Sequence, residues 1–404
     1  VVDVSKALEG VVVLDWTTEF WSALGTALLG DFGAEVIRVE HLPEVRARRR
    51  GSERAASSSS WDPHAELMNR NKLSLALDLG HEEGREILRG LVRQADVFVT
   101  DHPLAAVDEQ GWDYAALSGL QPGLVYARCS GFGPKGPDRD RPALDELAAA
   151  RTGMMPILPQ PGQPPVFAGA GQMYSSVMLA LGVVIALRHR QETGEGQEVD
   201  VSLFAGNMYG ASLDLQAYLA MGGERLIHPV DRLDAGNPMS GTLYLAEDGL
   251  WVTLTMPDTD RWWPGLAEIL ELDPADPRFD SHDKRCEENR LELFGVLEEA
   301  FRTKPAAHWR QAFAEHQLSA DVIEEFAFPA EDEQARLNRY IMELEHPSLG
   351  RVKTLGFPIY MSDSPARLSR TAPCLGQHTA EILHERLGYS EGRVCELETS
   401  GVIA

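Results

Sequence analysis

Lysine and arginine are in short supply. They total 37 against 62 aspartates and glutamates in a chain of 404, a formal net charge of −25. Neutralising a phosphate backbone needs clustered cations, so this balance argues against nucleic-acid binding, and equally against an anionic membrane surface. Cysteine is scarce too. Cys129, Cys286, Cys374 and Cys395 lie far apart, with no CxxC and no histidine pair at zinc spacing, which disfavours a disulfide framework and a metal site. No long apolar run occurs: the longest, Met173 to Leu187, has 15 residues and includes Ser175 and Ser176. That is short of the ~20 that span a bilayer. Val1 to Ala7 lack the basic start and apolar run of a signal peptide. These absences point to a cytoplasmic protein with reduced thiols.

What is present suffices for a full core, since 44% of residues are hydrophobic. At roughly 150 residues per domain, the length suggests two or three domains. Val11 to Leu14 and Val36 to Val39 read as buried strands flanking a helix from Trp21 to Asp31, closed by Gly33. A helix from Glu82 to Gln94 leads to Val97-Phe98-Val99, and Leu124-Val125-Tyr126 follows a Gln-Pro-Gly turn. Strands alternating with helices predict a Rossmann-type parallel sheet. Its first turn lacks GxGxxG, so a dinucleotide site is not supported.

Residues 46–60 read as a basic, then Ser-rich loop, and Pro156 to Pro165 as a connector. From about Gly222 the pattern changes to Asp-Gly turns, short strands such as Trp251 to Leu254, and acidic amphipathic helices from Glu287 to about Gln317. The expected domains are 1–222, a large Rossmann-like domain; 223–330, a smaller inserted α+β domain; and 331–404, a linker and return. Gly350 to Pro358 has strand character, and a last helix is expected from Gln377 to Leu387.

Three polar motifs carry possible chemistry. Ser130 to Pro137 follows a strand and could cradle phosphate, but Pro134 and Pro137 remove donors, so a tight structural loop is favoured. Asn69-Arg70-Asn71-Lys72 reads as a polar turn, with Lys72 as an anion contact in the minority reading. Gly169 to Gln172 introduces an apolar helix, whose N-terminus favours negative charge, although the glycines could equally serve packing. His41, His64, His102 and His189 read as solvated. Ser57 to Ser60 read as low-complexity loop, and Trp262-Trp263 as core. By themselves these residues describe a two-domain α/β protein with one possible anion-binding loop.

Taken in order, the segments resemble the class III CoA-transferases, the formyl-CoA transferase and α-methylacyl-CoA racemase family. The matching pieces are Leu8 to Asp15, Gly30 to Glu40 (GDFGAEVIRVE), Asn69 to Lys72 with Leu75 to Leu79, Ala95-Asp96-Val97 and Ser130 to Gly133. Further on come Thr193 to Gln197 (TGEGQ), Asn237 to Thr242, Glu345-His346-Pro347 and Pro373 to Thr379 (PCLGQHT). The resemblance implies a Rossmann-like large domain built from both chain ends, an inserted small domain, and two chains interlocked as rings. It also implies CoA held between the large domain of one subunit and the small domain of the other. An aspartate at a helix start would attack the acyl-CoA thioester, giving an anhydride and then an aspartyl-CoA thioester.

The chain departs from that pattern at the site. Counting back from Thr193-Gly194-Glu195, the nucleophile position falls on Gln172, and a carboxamide cannot replace the carboxylate. The racemase His-Asp pair would fall on Leu144 and Asp145, so the histidine base is absent. Thr100-Asp101-His102 replaces Glu-Asn-Phe, and Glu109 stands where the family has an arginine near the CoA phosphates. Phe20-Trp21-Ser22 replaces Ala-Gly-Pro. Lys72 remains as a CoA contact.

The resemblance with these departures implies the non-nucleophilic subunit of a heteromeric CoA-transferase, inactive alone. Its paralogous partner would carry the aspartate, and this chain would lend the loop around Gly236 to the partner's pocket. Such enzymes move CoA from a donor such as succinyl-CoA to a carboxylic acid, as in succinyl-CoA:benzylsuccinate CoA-transferase. No tightly bound cofactor is expected, the CoA thioester being a substrate. The alternatives are a homodimeric binding or scaffold protein, and an acyl-CoA enzyme using Glu19, Asp101 or Asp145 as a new base.

Overall fold

The first strand, β1 (Val12–Trp16), is buried along its whole length, as a central strand covered on both faces requires. It leads through a short turn into α1 (Phe20–Asp31) and β2 (Glu35–His41). Next come α2 (Pro63–Asn69), β3 (Lys72–Leu77), α3 (Glu82–Val92), β4 (Val97–Thr100), α4 (Leu104–Gln110), α5 (Tyr114–Leu120) and β5 (Val125–Ser130). The computed structural model describes residues 6–43, 45, 62–142, 144–222, 227–347 and 349–404. The loop read over residues 46–60, with Ser57 to Ser60, lies outside them.

After β5 follow α6 (Asp145–Ala149), α7 (Gly171–Thr193), β6 (Glu198–Ser202), α8 (Leu203–Gly210) and α9 (Ser212–Met221). The six strands form one parallel sheet in the order β3-β2-β1-β4-β5-β6. Strand periodicity divides the side chains between two faces. Leu14, Ile37, Phe98 and Tyr126 join one core cluster, while Val13, Val36, Val97 and Val125 join the other. The chain is therefore a mixed α/β protein with a parallel central sheet.

The apolar run at Met173 sits inside a longer element than its own 15 residues suggest. Helix α7 has 23 residues and, by length and composition alone, is long and apolar enough to cross a membrane; 39% of its apolar window is buried within the chain.

Two compact units divide the chain. One comprises residues 1–155, 167–222 and 342–404, and the other 156–166 and 223–341. Residues 156–166, which contain the segment read as a connector, group with the second unit, and residues 342–404 group with the first. The second unit holds β7 (Ser240–Leu245), β8 (Trp251–Thr255), α10 (Thr259–Ile269), α11 (Arg290–Phe301), α12 (Ala306–Glu315) and β9 (Ala320–Ile323). Its three-stranded antiparallel sheet is ordered β7-β8-β9. Aromatics dominate its core, including Tyr244, Trp263, Phe301, Trp309 and Phe313.

The return contributes the hairpin strands β10 (Ile341–His346) and β11 (Gly350–Leu355), then α13 (Thr379–Leu387). A further helix, α14 (Glu391–Thr399), follows the one expected to be last. Ile382, Leu383, Val394 and Leu397 bury against the sheet. The PCLGQHT segment seals the β3 edge: His378 Nδ1 accepts from the Ser74 N–H at 3.1 Å, and Thr379 Oγ1 accepts from the Ala76 N–H at 3.1 Å. Gly376 has φ +68°, and a Cβ there would strike the Ala404 carbonyl, so that position needs glycine.

Candidate functional site

Open parallel sheets hold ligands beyond the carboxyl ends of the strands, where strand order reverses. Here that point lies between β1 and β4. A cleft of about 450 Å³ opens there, with Thr18, Glu19, Asp101, Ser130 and Arg141 among its walls. Glu19 and Asp101, separate candidates in the sequence, thus line one cleft. So do Ser130 and Gly131, the start of the loop after β5.

Asp101 is the most heavily engaged side chain of this cleft. Its Oδ2 accepts from the N–H groups of Thr18 and Glu19 at 2.8 and 2.7 Å and from Ser22 Oγ at 2.6 Å. Its Oδ1 accepts from the Thr18 N–H and hydroxyl at 3.0 and 3.2 Å. Burial by itself raises the carboxyl pKa. Hydrogen bonds from His102, Ser22, Glu19 and Thr18 outweigh it and hold the group below the usual carboxylate range, because they favour the charged form. His102, read as solvated, is instead largely enclosed: its side chain is 10% exposed, with Nδ1 3.5 Å from Asp101 Oδ1 and its ring 4.0 Å from that of Trp16.

Gln172 is the second residue of α7 and is half-buried. Its turn is tied to the cleft wall, since Ser176 Oγ lies within hydrogen-bonding distance of both the Gln172 and Trp21 carbonyls, 2.7 and 2.8 Å. Trp21 lines the cleft from the core, whereas Phe20 meets His64, ring centroids 6.0 Å apart. Asp145 packs beside the start of α7: a Cβ on Gly171 would collide with Asp145 Oδ1 and Asn207 Nδ2. Asn207 Nδ2 donates to Asp145 Oδ1 at 2.7 Å. The other oxygen, Oδ2, is buried and has no hydrogen-bond partner among the described residues. Leu144, at the missing histidine's position, is exposed.

Lys72 lies elsewhere. Its side chain is 0% exposed, and Nζ donates to Asp15 Oδ2 and the Ala23 carbonyl, each at 2.7 Å. In this structure it reaches neither solvent nor the cleft, so an anion contact would require it to leave Asp15. The rest of its motif is also structural. Arg70 pairs with Asp31 at 2.7 Å and donates to the Gly356 carbonyl at 3.2 Å, while Asn71, at φ +61°, accepts from the Ser369 N–H at 2.7 Å. These contacts tie the return segment to the end of α1.

Glu109 is exposed and lines a separate cavity of about 680 Å³ with His41, Arg85, Arg89 and His102. Both arginines there are paired with Glu82, at 2.7 and 2.9 Å. Gly236 is exposed in the second unit, in a loop braced by Arg290 on the Ala235 carbonyl at 3.0 Å and by Asn237 Nδ2 on the Met256 carbonyl at 3.2 Å. Among the described residues, no group of three or more His, Cys, Asp or Glu side chains is placed to hold a metal ion.

The model of CoA-transferase family III matches residues 8–379. The chain belongs to CoA-transferase family III. Within that family it is 30% identical to the (R)-2-hydroxy-4-methylpentanoate CoA-transferase of Clostridioides difficile over 98% of this chain and 99% of the relative. It is 29% identical to the succinyl-CoA–D-citramalate CoA-transferase of Chloroflexus aurantiacus, over 98% of each chain. The fold is shared with a CaiB/BaiF family protein from Brucella suis, with TM-score 0.79 at 24% identity, covering 94% of this chain and 99% of that one. In this family III chain Gln172 stands second in α7, and the lysine of the Asn-Arg-Asn-Lys motif, Lys72, is paired with Asp15.

Proposed function

We propose that this chain is the non-nucleophilic subunit of a heteromeric CoA-transferase. The observation that carries the reading is Gln172 at the start of α7. Family chemistry needs a carboxylate there that attacks a thioester carbonyl, expels the CoA thiolate and is later regenerated. A carboxamide is a poor nucleophile with no anionic oxygen to offer. Asp145 does not substitute for it directly, being 3% exposed behind Gly171.

In this proposal a paralogous subunit supplies the aspartate, and the two chains interlock. The broad apolar surface on α7 and α9, with Val177, Leu181, Ile185, Leu213 and Leu219 all exposed, supports a protein partner, since large apolar patches mark interaction sites. This chain would then lend its Gly236 loop to the partner's pocket. The composite enzyme would move CoA between a thioester such as succinyl-CoA and a carboxylic acid. Benzylsuccinate fits as a dicarboxylic acceptor, and the similarity to the transferase named for succinyl-CoA and D-citramalate supports that donor class. A cytoplasmic location belongs to the same proposal.

The test is a transfer assay on the purified chain with succinyl-CoA and an acceptor acid, followed by intact mass for a covalent CoA adduct. Neither turnover nor adduct is expected until the paralogue is added. Transfer by the chain alone at ordinary enzyme rates, roughly 1 s⁻¹ or faster, overturns the proposal. A second reading, altered chemistry within this chain, is favoured by Asp145 Oδ2, which has no hydrogen-bond partner among the described residues. It requires activity in the isolated chain that Asp145→Asn abolishes.

A further inference from the structure

The first strand-to-helix turn of a Rossmann-type sheet is a ready-made anion site. Consecutive backbone N–H groups and the positive end of the helix face the ligand together. In this chain those donors are already taken. The N–H groups of Thr18 and Glu19 and the hydroxyl of Ser22 converge on a side chain from a different strand end, Asp101, at 2.6 to 2.8 Å from its Oδ2. The second oxygen accepts from Thr18 again. The Asp101 side chain is 2% exposed, and α1 behind the turn is 12 residues long, so its terminal dipole is fully developed.

We propose that Asp101 is a built-in anion that closes the first turn of this chain to phosphate-bearing ligands. Two physical effects act together. The carboxylate occupies the donors that a phosphate oxygen would use, and its charge repels a diphosphate approaching through the cleft. Glu19 and Asp140, also in the cleft wall, reinforce that repulsion, while Arg139 and Arg141 oppose it. Arg139 is itself drawn to Asp140 at 3.3 Å, and Arg141 lies 5.6 Å over the Phe132 ring. Asp101 is therefore a specificity determinant of the cleft: neutral or non-phosphorylated groups can enter beside it, and a diphosphate cannot seat on the turn. The inference concerns this chain's own cleft and holds whether or not a second subunit exists.

The test is calorimetric titration of the full chain at low salt with inorganic pyrophosphate. Asp101→Gly empties the nest, and Asp101→Asn removes the charge while leaving one acceptor. Saturable binding at least about tenfold tighter than in the unaltered chain is expected for the glycine variant, because charge-assisted N–H contacts are released. A smaller gain is expected for the asparagine variant, which carries the test should the glycine variant fail to fold. Adding Ser22→Ala should then weaken the acquired binding. If Asp101 is only a helix cap, the folded variants lose stability and bind pyrophosphate no better, which overturns the proposal. Binding by the unaltered chain that substitution of Asp101 does not strengthen overturns it as well.

Discussion

Lys72 Nζ and Asp15 Oδ2 lie 2.7 Å apart with neither side chain exposed. The pair bridges β3 and β1 inside the sheet's flank, and Asp15 is completed by the hydroxyls of Thr17 and Thr26 at 2.6 and 2.7 Å. A motif lysine that invites reading as a phosphate contact is a structural cation in this fold.

Breaking that pair from one side should be costly. Lys72→Met leaves a buried carboxylate without its counter-charge, and a loss of about 3–5 kcal/mol in urea unfolding is expected. Adding Asp15→Leu should recover part of it. A variant of unchanged stability would contradict the structural role.

Asp101 should leave a signature at acid pH. Its folded pKa is depressed below the unfolded 3.8. The unfolded chain therefore binds more protons between the two values, and the stabilisation is present above pH ~4 and lost as pH falls through the folded pKa. At pH 7, Asp101→Asn should cost about 1–3 kcal/mol, the worth of charge-assisted bonds. The gap between the two unfolding curves should close on titration below pH 4. A constant gap would mean that the carboxylate's charge contributes nothing.

Asn207 is the single described hydrogen-bond partner of Asp145 Oδ1. Asn207→Ala leaves that buried carboxyl with neither oxygen bonded, and a destabilisation of about 1–3 kcal/mol is expected. A thermal-unfolding cycle with Asp145→Ala should show coupling above about 0.5 kcal/mol, as for directly bonded pairs. Additive losses would remove the interaction.

Gln172→Asp restores a carboxylate at the start of α7 but leaves Asp101 on the turn and Glu109 in the neighbouring cavity. The isolated variant should still form no covalent CoA adduct by intact mass. Adduct formation and turnover by the single variant would mean that glutamine alone disables the chain.

The strands of the parallel sheet were legible because buried central strands write themselves as short β-branched runs. Val11 to Leu14, Val36 to Val39 and Val97 to Val99 each start within one residue and end within two of the strands observed. Helix α7 outran its apolar core because Arg188, Arg190 and Glu192 continue the helix as a polar end with a 2.6 Å ion pair between Arg188 and Glu192. Helix α14 was missed because its apolar content is thin: Val394 and Leu397 are buried within a run of Glu, Arg and Thr. The engagement of Asp101 with Thr18, and of Asp145 with Asn207, joins residues 83 and 62 positions apart. No local pattern encodes such contacts. They are set by the sheet order.

The most direct measurement is the intact-complex mass of this chain isolated from its native host, with sequencing of any companion of similar size. The expected result is a heteromer with a paralogue that carries aspartate at the position of Gln172. A pure homodimer that transfers CoA without any companion would contradict the account.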